Sequence, residues 1–151
     1  MIKFYKIVIL IIFISISFNA KAHVEHYNKL NRIEFDIYRN NKHIGKHIFS
    51  FEKLNNQLTV KSDINFEIKK LGVLLYKYHV VGTEVYEDGI LVKFNSKTED
   101  NKKKKYVNMH LNGKDYIVDG SSYKGKVPSD YVIGTWWNHT IVETTAQISA
   151  V

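Results

Sequence analysis

From Arg32 onward the chain alternates. Ile33, Phe35 and Ile37 are interleaved with Arg32, Glu34, Asp36 and Tyr38. Leu58, Val60, Ile64, Phe66 and Ile68 are interleaved with Thr59, Lys61, Asp63, Asn65 and Glu67. Ile90, Val92 and Phe94 repeat the pattern, as do Val107, Met109 and Leu111. A period of two sends successive side chains to opposite faces of an extended strand, one toward a core and one toward water. The runs are rich in β-branched and aromatic residues, which suit a pleated, half-buried surface.

The breaks between runs are short and carry turn chemistry. They are Asn40-Asn41-Lys42, Asn55-Asn56-Gln57, Glu87-Asp88-Gly89 and Asn112-Gly113. Asp-Gly and Asn-Gly supply the positive φ that a tight hairpin turn requires. Connections this short join antiparallel neighbours, because a parallel crossover needs about a dozen residues or more. The pattern predicts strands near 31–39, 43–51, 57–68, 73–86, 89–99, 105–111 and 115–119. One short helix is expected near 130–143, after Pro128-Ser129-Asp130, although Gly134 weakens it. The expected fold is all-β, an antiparallel meander curled into a barrel or half-barrel to cover its apolar face.

The first 22 residues read differently. Lys3 and Lys6 precede the apolar run Ile7–Phe18, and Ala20-Lys21-Ala22 follows it. These are the three regions of a secretory signal-peptide helix, with cleavage expected after Ala22. The run is shorter than the roughly 20 residues of a membrane span, so no stable transmembrane anchor is expected after cleavage. The expected organisation is a signal peptide over 1–22 and one β domain over 23–151, in the periplasm or secreted. The formal charge is +7, from 22 Lys+Arg against 15 Asp+Glu. Losing Lys3, Lys6 and Lys21 takes +7 to +4. An exported chain of that charge is not expected to bind nucleic acid, and a weak attraction to anionic lipid surfaces remains open. The sequence has no cysteine, which removes disulfides, thiolate metal sites and a cysteine nucleophile.

Several residues stand out as site candidates. Glu84 shares the parity of Leu74, Tyr76, Tyr78 and Val80, so an unbroken strand aims it at the apolar face. Such a carboxylate is either an acid with a raised pKa in a pocket or a satisfied structural group. A bulge at Gly82 would instead flip it into water. Trp136-Trp137-Asn138 either lines a pocket or plugs the open end of a curled sheet. Lys102–Lys105 is the one charge run, either an anion or lipid-headgroup contact or a solvated loop. His43 and His47 are four apart, roughly 13 Å on a strand, too far to share a metal ion. Cleavage after Ala22 would expose His23 as an N-terminus, where its amine and imidazole with His26 form a minor copper candidate. No other metal and no cofactor is expected.

Ile44-Gly45-x-His47, Tyr76-x-Tyr78 leading to Glu84, Asp88-Gly89-x-Leu91, Thr98 and Trp137-Asn138 resemble, in order and spacing, a family of uncharacterised bacterial exported proteins, a domain of unknown function. The resemblance runs from about 33 to 140. It implies an all-β, barrel-like fold and export, and adds no reaction. Tyr86 stands where the family often has Trp, and the lysine run replaces a Gly-containing turn. The family pattern also continues beyond the Trp-Asn step, whereas this sequence ends at Val151 as a new strand begins at Ala146. A C-terminally shortened chain with an open edge is therefore expected.

The functional expectation is a binding protein for an apolar or amphipathic ligand such as a lipid. Tyr76, Tyr78, Glu84, Trp136, Trp137 and Asn138 would line or close the concave side. Two alternatives stand beside it. One is a structural or interaction module with an envelope protein as partner. The other is a hydrolytic enzyme using Glu84 with His79, which requires the two within hydrogen-bond reach.

Overall fold

The structure, a computed structural model, describes residues 29–144 and 146–149. Eight strands run in chain order: β1 (Arg32–Arg39), β2 (Lys42–Leu54), β3 (Gln57–Lys70), β4 (Val73–Glu87), β5 (Ile90–Asp100), β6 (Lys103–Asn112), β7 (Asp115–Gly120) and β8 (Lys124–Pro128). They form one sheet in the order β1 to β8, each antiparallel to the next. The first six connections are all two-residue turns. Asn40, Asn41, Asn55, Asp88, Gly89 and Asn101 take positive φ there, as twist-matched hairpin turns require. The Asn112-Gly113 signal produces its turn one residue later, at Gly113-Lys114.

The alternation sets the core. Phe49 and Phe51 of β2, Leu58 and Val60 of β3, and Val80 and Tyr86 of β4 are buried on one face. Leu91 and Phe94 of β5, Val107 and Met109 of β6, and Tyr116 and Val118 of β7 continue that face; in β5 a register shift opposite Val85 and Tyr86 makes Val92 an extra residue, so Leu91 is buried and Ile90, expected to share the parity of Phe94, is exposed. The other face carries exposed ion pairs, including Glu34 with Arg32 and Lys46, and Lys61 with Glu52. Fully burying a side chain such as Phe49 or Phe94 is worth about 2–3 kcal/mol.

The sheet does not close into a barrel. Among the described residues β1 pairs only with β2, and β8 only with β7. The apolar face is covered instead by the segment after β8. That segment holds β9 (Val132–Ile133) and β10 (Gln147–Ile148), a short parallel pair. Ile133 and Trp137 are part of the core, and Ile148 packs against it. Of the strand expected from Ala146, the described residues show Gln147 and Ile148, paired with β9 and not with the eight-stranded sheet.

Two other expectations are corrected. The helix expected over 130–143 is a single 3-10 turn, His139–Val142. Pro128 ends an edge strand, where its missing N–H costs no ladder bond, rather than starting a helix. Strand β8 was not anticipated, because Lys124-Gly125-Lys126-Val127 shows too few apolar residues to display a period. The expected signal peptide over 1–22, with His23 and His26, lies outside the described residues. Among the described residues no helix is long and apolar enough to cross a membrane.

One glycine is dictated by close approach. A Cβ on Gly45 would sit 2.1 Å from the backbone oxygen of Asn65 and 2.5 Å from Phe66. The β1–β2 register also shifts here, with Ile37 opposite Gly45 and Tyr38 opposite His43, so Ile44 is the extra residue of a bulge. Gly45→Ala is expected to destabilise by about 3 kcal/mol or more, the scale of overpacking against backbone that cannot move aside. A fall in the urea midpoint measures it; an unchanged midpoint would contradict the β2–β3 spacing.

Candidate functional site

Strand β4 runs without a break in parity through Gly82, which pairs with Ser62 on one side and Ser96 on the other. A Cβ on Gly82 would meet the Ser62 hydroxyl at 2.6 Å, so the glycine makes room for a neighbour rather than a bulge. Glu84 therefore points inward, at 1% exposure.

The covering segment supplies its partners. The Tyr86 hydroxyl donates to Glu84 Oε2 at 2.5 Å, and Trp137 Nε1–H donates to Oε1 at 3.0 Å. The Thr135 side chain also acts on the carboxyl, favouring its charged form. The Asn138 side chain acts on the Tyr86 hydroxyl, opposing part of the rise in its pKa. Its Oδ1 also accepts from the backbone N–H and hydroxyl of Thr140, capping the 3-10 turn. The Asn-x-Thr spacing, formally a glycosylation acceptor, thus serves a local turn. The Trp137 ring stands edge-on to Phe51 at 5.4 Å and to Tyr86 at 5.7 Å.

This environment sets the charge state. Burial pushes the Glu84 carboxyl above its ordinary value, and the donated hydrogen bonds only partly oppose it. Burial and the adjacent carboxyl push the Tyr86 phenol well above its own. A sealed acid whose oxygens are all engaged is a structural tie. His79 lies on the opposite face of β4, with Nε2 3.2 Å from Asp63. The structure does not bring Glu84 and His79 together.

The six candidates therefore separate. Glu84, Trp137 and Asn138 form the tie. Tyr76 and Tyr78 stack at 6.5 Å farther along β4, with Phe66 5.2 Å from Tyr78. Tyr76 donates to Asp100 Oδ1 at 2.6 Å, and that bond raises its phenol to about 12. Trp136, beside Trp137 in the chain, is 77% exposed where Trp137 is 2%.

Trp136 and Tyr78 meet at a cleft of about 430 Å³ between the sheet and the covering segment. Its sheet wall is His47, Phe49, Ser62, Ile64, Tyr78 and Val80. Gly134, Thr135, Trp136 and Ile148 form the facing wall. His47 was not anticipated as a site residue. It is 9% exposed, and its ring lies 4.1 Å from that of Phe49. Among the described residues its Nε2 has no hydrogen-bond partner. Burial lowers its pKa, so the imidazole is held toward its neutral form. The signal was present in the sequence, because His47 shares the inward parity of Phe49 and Phe51. The described residues contain no cluster of metal-ligating side chains.

A family model described as "Domain of unknown function (DUF6134)" matches residues 35–151. No curated protein and no solved structure matches the chain.

The tie makes stability depend on pH with a definite sign. The folded chain holds the Glu84 proton more tightly than the unfolded chain, whose carboxyl titrates near 4.5. The contribution is therefore full below about pH 4.5 and is lost as pH rises through the folded value. Glu84→Gln should remove this decline from urea midpoints taken between acidic and alkaline pH. Glu84→Ala should destabilise by about 2–4 kcal/mol, because the Trp137 and Tyr86 donors lose their partner. Equal pH profiles for wild type and Glu84→Gln would contradict the assignment.

Proposed function

The chain belongs to this family of domains of unknown function, over residues 35–151, and since membership brings no reaction with it we propose from the geometry that the protein binds a single-chain amphiphile in the cleft beneath Trp136. The observation that carries the proposal is His47. A buried imidazole with an unpartnered Nε2 costs free energy unless something supplies its hydrogen bond. It stands in a wall with Phe49, Ile64, Val80, Tyr78 and Ser62. An acyl chain suits the apolar part of that wall, and a polar head suits His47, Ser62 and Thr135 at its side. The cleft volume lies within the range of roughly 300–1,000 Å³ usual for small-molecule sites.

The place of action in this reading is outside the cytoplasm. The support is the order of Lys3 and Lys6, the apolar run Ile7–Phe18 and Ala20-Lys21-Ala22. Extracytoplasmic compartments bounded by membranes contain single-chain lipids, which matches the chemistry of the cleft.

The two tryptophans give the test a built-in reference, since Trp136 is exposed at the cleft and Trp137 is sealed beneath it. Titration with lysophosphatidylcholine or a free fatty acid should shift emission to shorter wavelength and saturate. Trp136→Phe should abolish the shift. His47→Phe should weaken binding by about fivefold, the worth of one hydrogen bond of about 1 kcal/mol. No shift with either amphiphile, or a shift that survives Trp136→Phe, would reject the cleft as the site.

A further inference from the structure

Because neighbouring strands are antiparallel, the turns at 40–41, 71–72, 101–102 and 121–123 lie at one end of the sheet. The turns at 55–56, 88–89 and 113–114 lie at the other. The two ends differ in charge. Within two residues of the first set stand eight Lys or Arg side chains against Glu99, Asp100 and Asp119. Within two residues of the second stand Lys53 and Lys114 against Glu87, Asp88 and Asp115.

The cationic end also carries a finger. The last β3 residue paired with β2 is Phe66, and the last β4 residue paired with β5 is Tyr78. Residues 67–76 therefore form the end of a hairpin whose ladder bonds run only between its own two arms, with the Lys77 carbonyl below them accepting from the Asn101 N–H. Leu71, Val73, Leu74 and Leu75 at its tip are all exposed, Leu71 at 96%. A shift in register between Ile68 and Lys69 makes Leu75 an extra residue, so Leu74 and Leu75 both stand opposite Lys69 and its neighbour.

Leu71 carries a second cost. It adopts φ +49°, in the left-handed region. The other non-glycine residues with positive φ are Asn, Asp or Lys, all polar. A leucine there meets both a steric penalty of about 1–2 kcal/mol and full hydration of its side chain. Nothing within the sheet offsets either. Beside the finger, a groove of about 690 Å³ runs to the β1–β2 turn and is lined by Arg39, Lys42, Lys69, Lys70 and Leu75. Lys69 is paired with Glu67, whereas Arg39, Lys42 and Lys70 have no ion-pair partner among the described residues.

We infer that this end of the sheet docks on an anionic lipid bilayer, with the leucine finger in the interface and Arg39, Lys42 and Lys70 on the phosphates. Apolar residues that enter the headgroup boundary, flanked by cations, are the combination by which proteins lie on a membrane. The charge selects the occupant. An apolar protein partner would account for the leucines and leave the cations unanswered, and a soluble polyanion would do the reverse. This surface is separate from the cleft and does not depend on it.

The absence of cysteine makes the test site-specific. Leu74→Cys in the full chain, labelled with an environment-sensitive nitrobenzoxadiazole, reports on the finger. Ile90→Cys, exposed at the opposite end, is the reference. With phosphatidylcholine vesicles containing phosphatidylglycerol, the label at 74 should brighten and shift to the blue, and the label at 90 should not. The read-out is local, so a membrane anchor at residues 7–18 does not imitate it. Added salt, or Lys42→Glu with Lys70→Glu, should weaken the response by about tenfold or more. Circular dichroism of each variant checks that the sheet is intact. An unchanged label at 74, equal responses at 74 and 90, or an equal response to pure phosphatidylcholine overturns the inference. So does a response to dextran sulfate alone, or one that grows with protein concentration without vesicles and so marks a second copy.

Discussion

An eight-stranded sheet with alternating side chains has an apolar face and nothing within the sheet to put over it. Here β1 and β8 do not meet, so closure is not the solution. The cover is the segment after β8, and it is held by chemistry as well as by packing. Trp137 reaches down to Glu84, which the Tyr86 hydroxyl also binds. A carboxyl in the core is costly alone, yet once engaged by these donors it fixes which part of the cover lies over which part of the sheet. The cleft exists because the cover lies over only part of that face. On one side of the tie the face is packed by Ile133 and Trp137, and on the other Trp136 and Ile148 stand across from Ile64 and Tyr78.

The strand pattern was legible because period two is a local property. Parity alone places Glu84, Tyr76, Tyr78 and His47 on the inner face. Its partners were a different matter. Trp137 is 53 residues from Glu84, and no spacing rule connects a strand to an irregular segment that crosses it. The same limit explains why Trp136 and Trp137 could not be told apart. Both sit in a turn between β9 and the 3-10 turn, and which one faces the core is decided by where the segment lands. The helix expected at 130–143 failed for a related reason. Val132, Ile133 and Ile148 gain more from burial against the sheet than a Gly134-containing helix would gain from its own hydrogen bonds.

The residue left out of the candidate set, His47, became informative through a double requirement. It had to be inward by parity and unpartnered by geometry, and only the first is visible in a sequence. The tyrosines show the converse. Tyr76 and Tyr78 had the right parity, but Tyr76 is engaged by Asp100, while Tyr78 remains on the cleft wall. Glu84 and Trp137 are essential to the site without lining it, because they decide where its roof sits.

The nearest-neighbour order of the strands has a kinetic side. Every pairing from β1 to β8 joins segments adjacent in the chain, so each hairpin can zip onto the last with only a tight turn to close. The roof is different, since its bond to Glu84 spans much of the domain and forms only after residue 137 is available. Until then the oily side of the ribbon faces solvent, where sticky collisions between chains compete with completion. The order of synthesis thus leaves the vulnerable intermediate for last, and the final lock doubles as the step that makes the molecule safe.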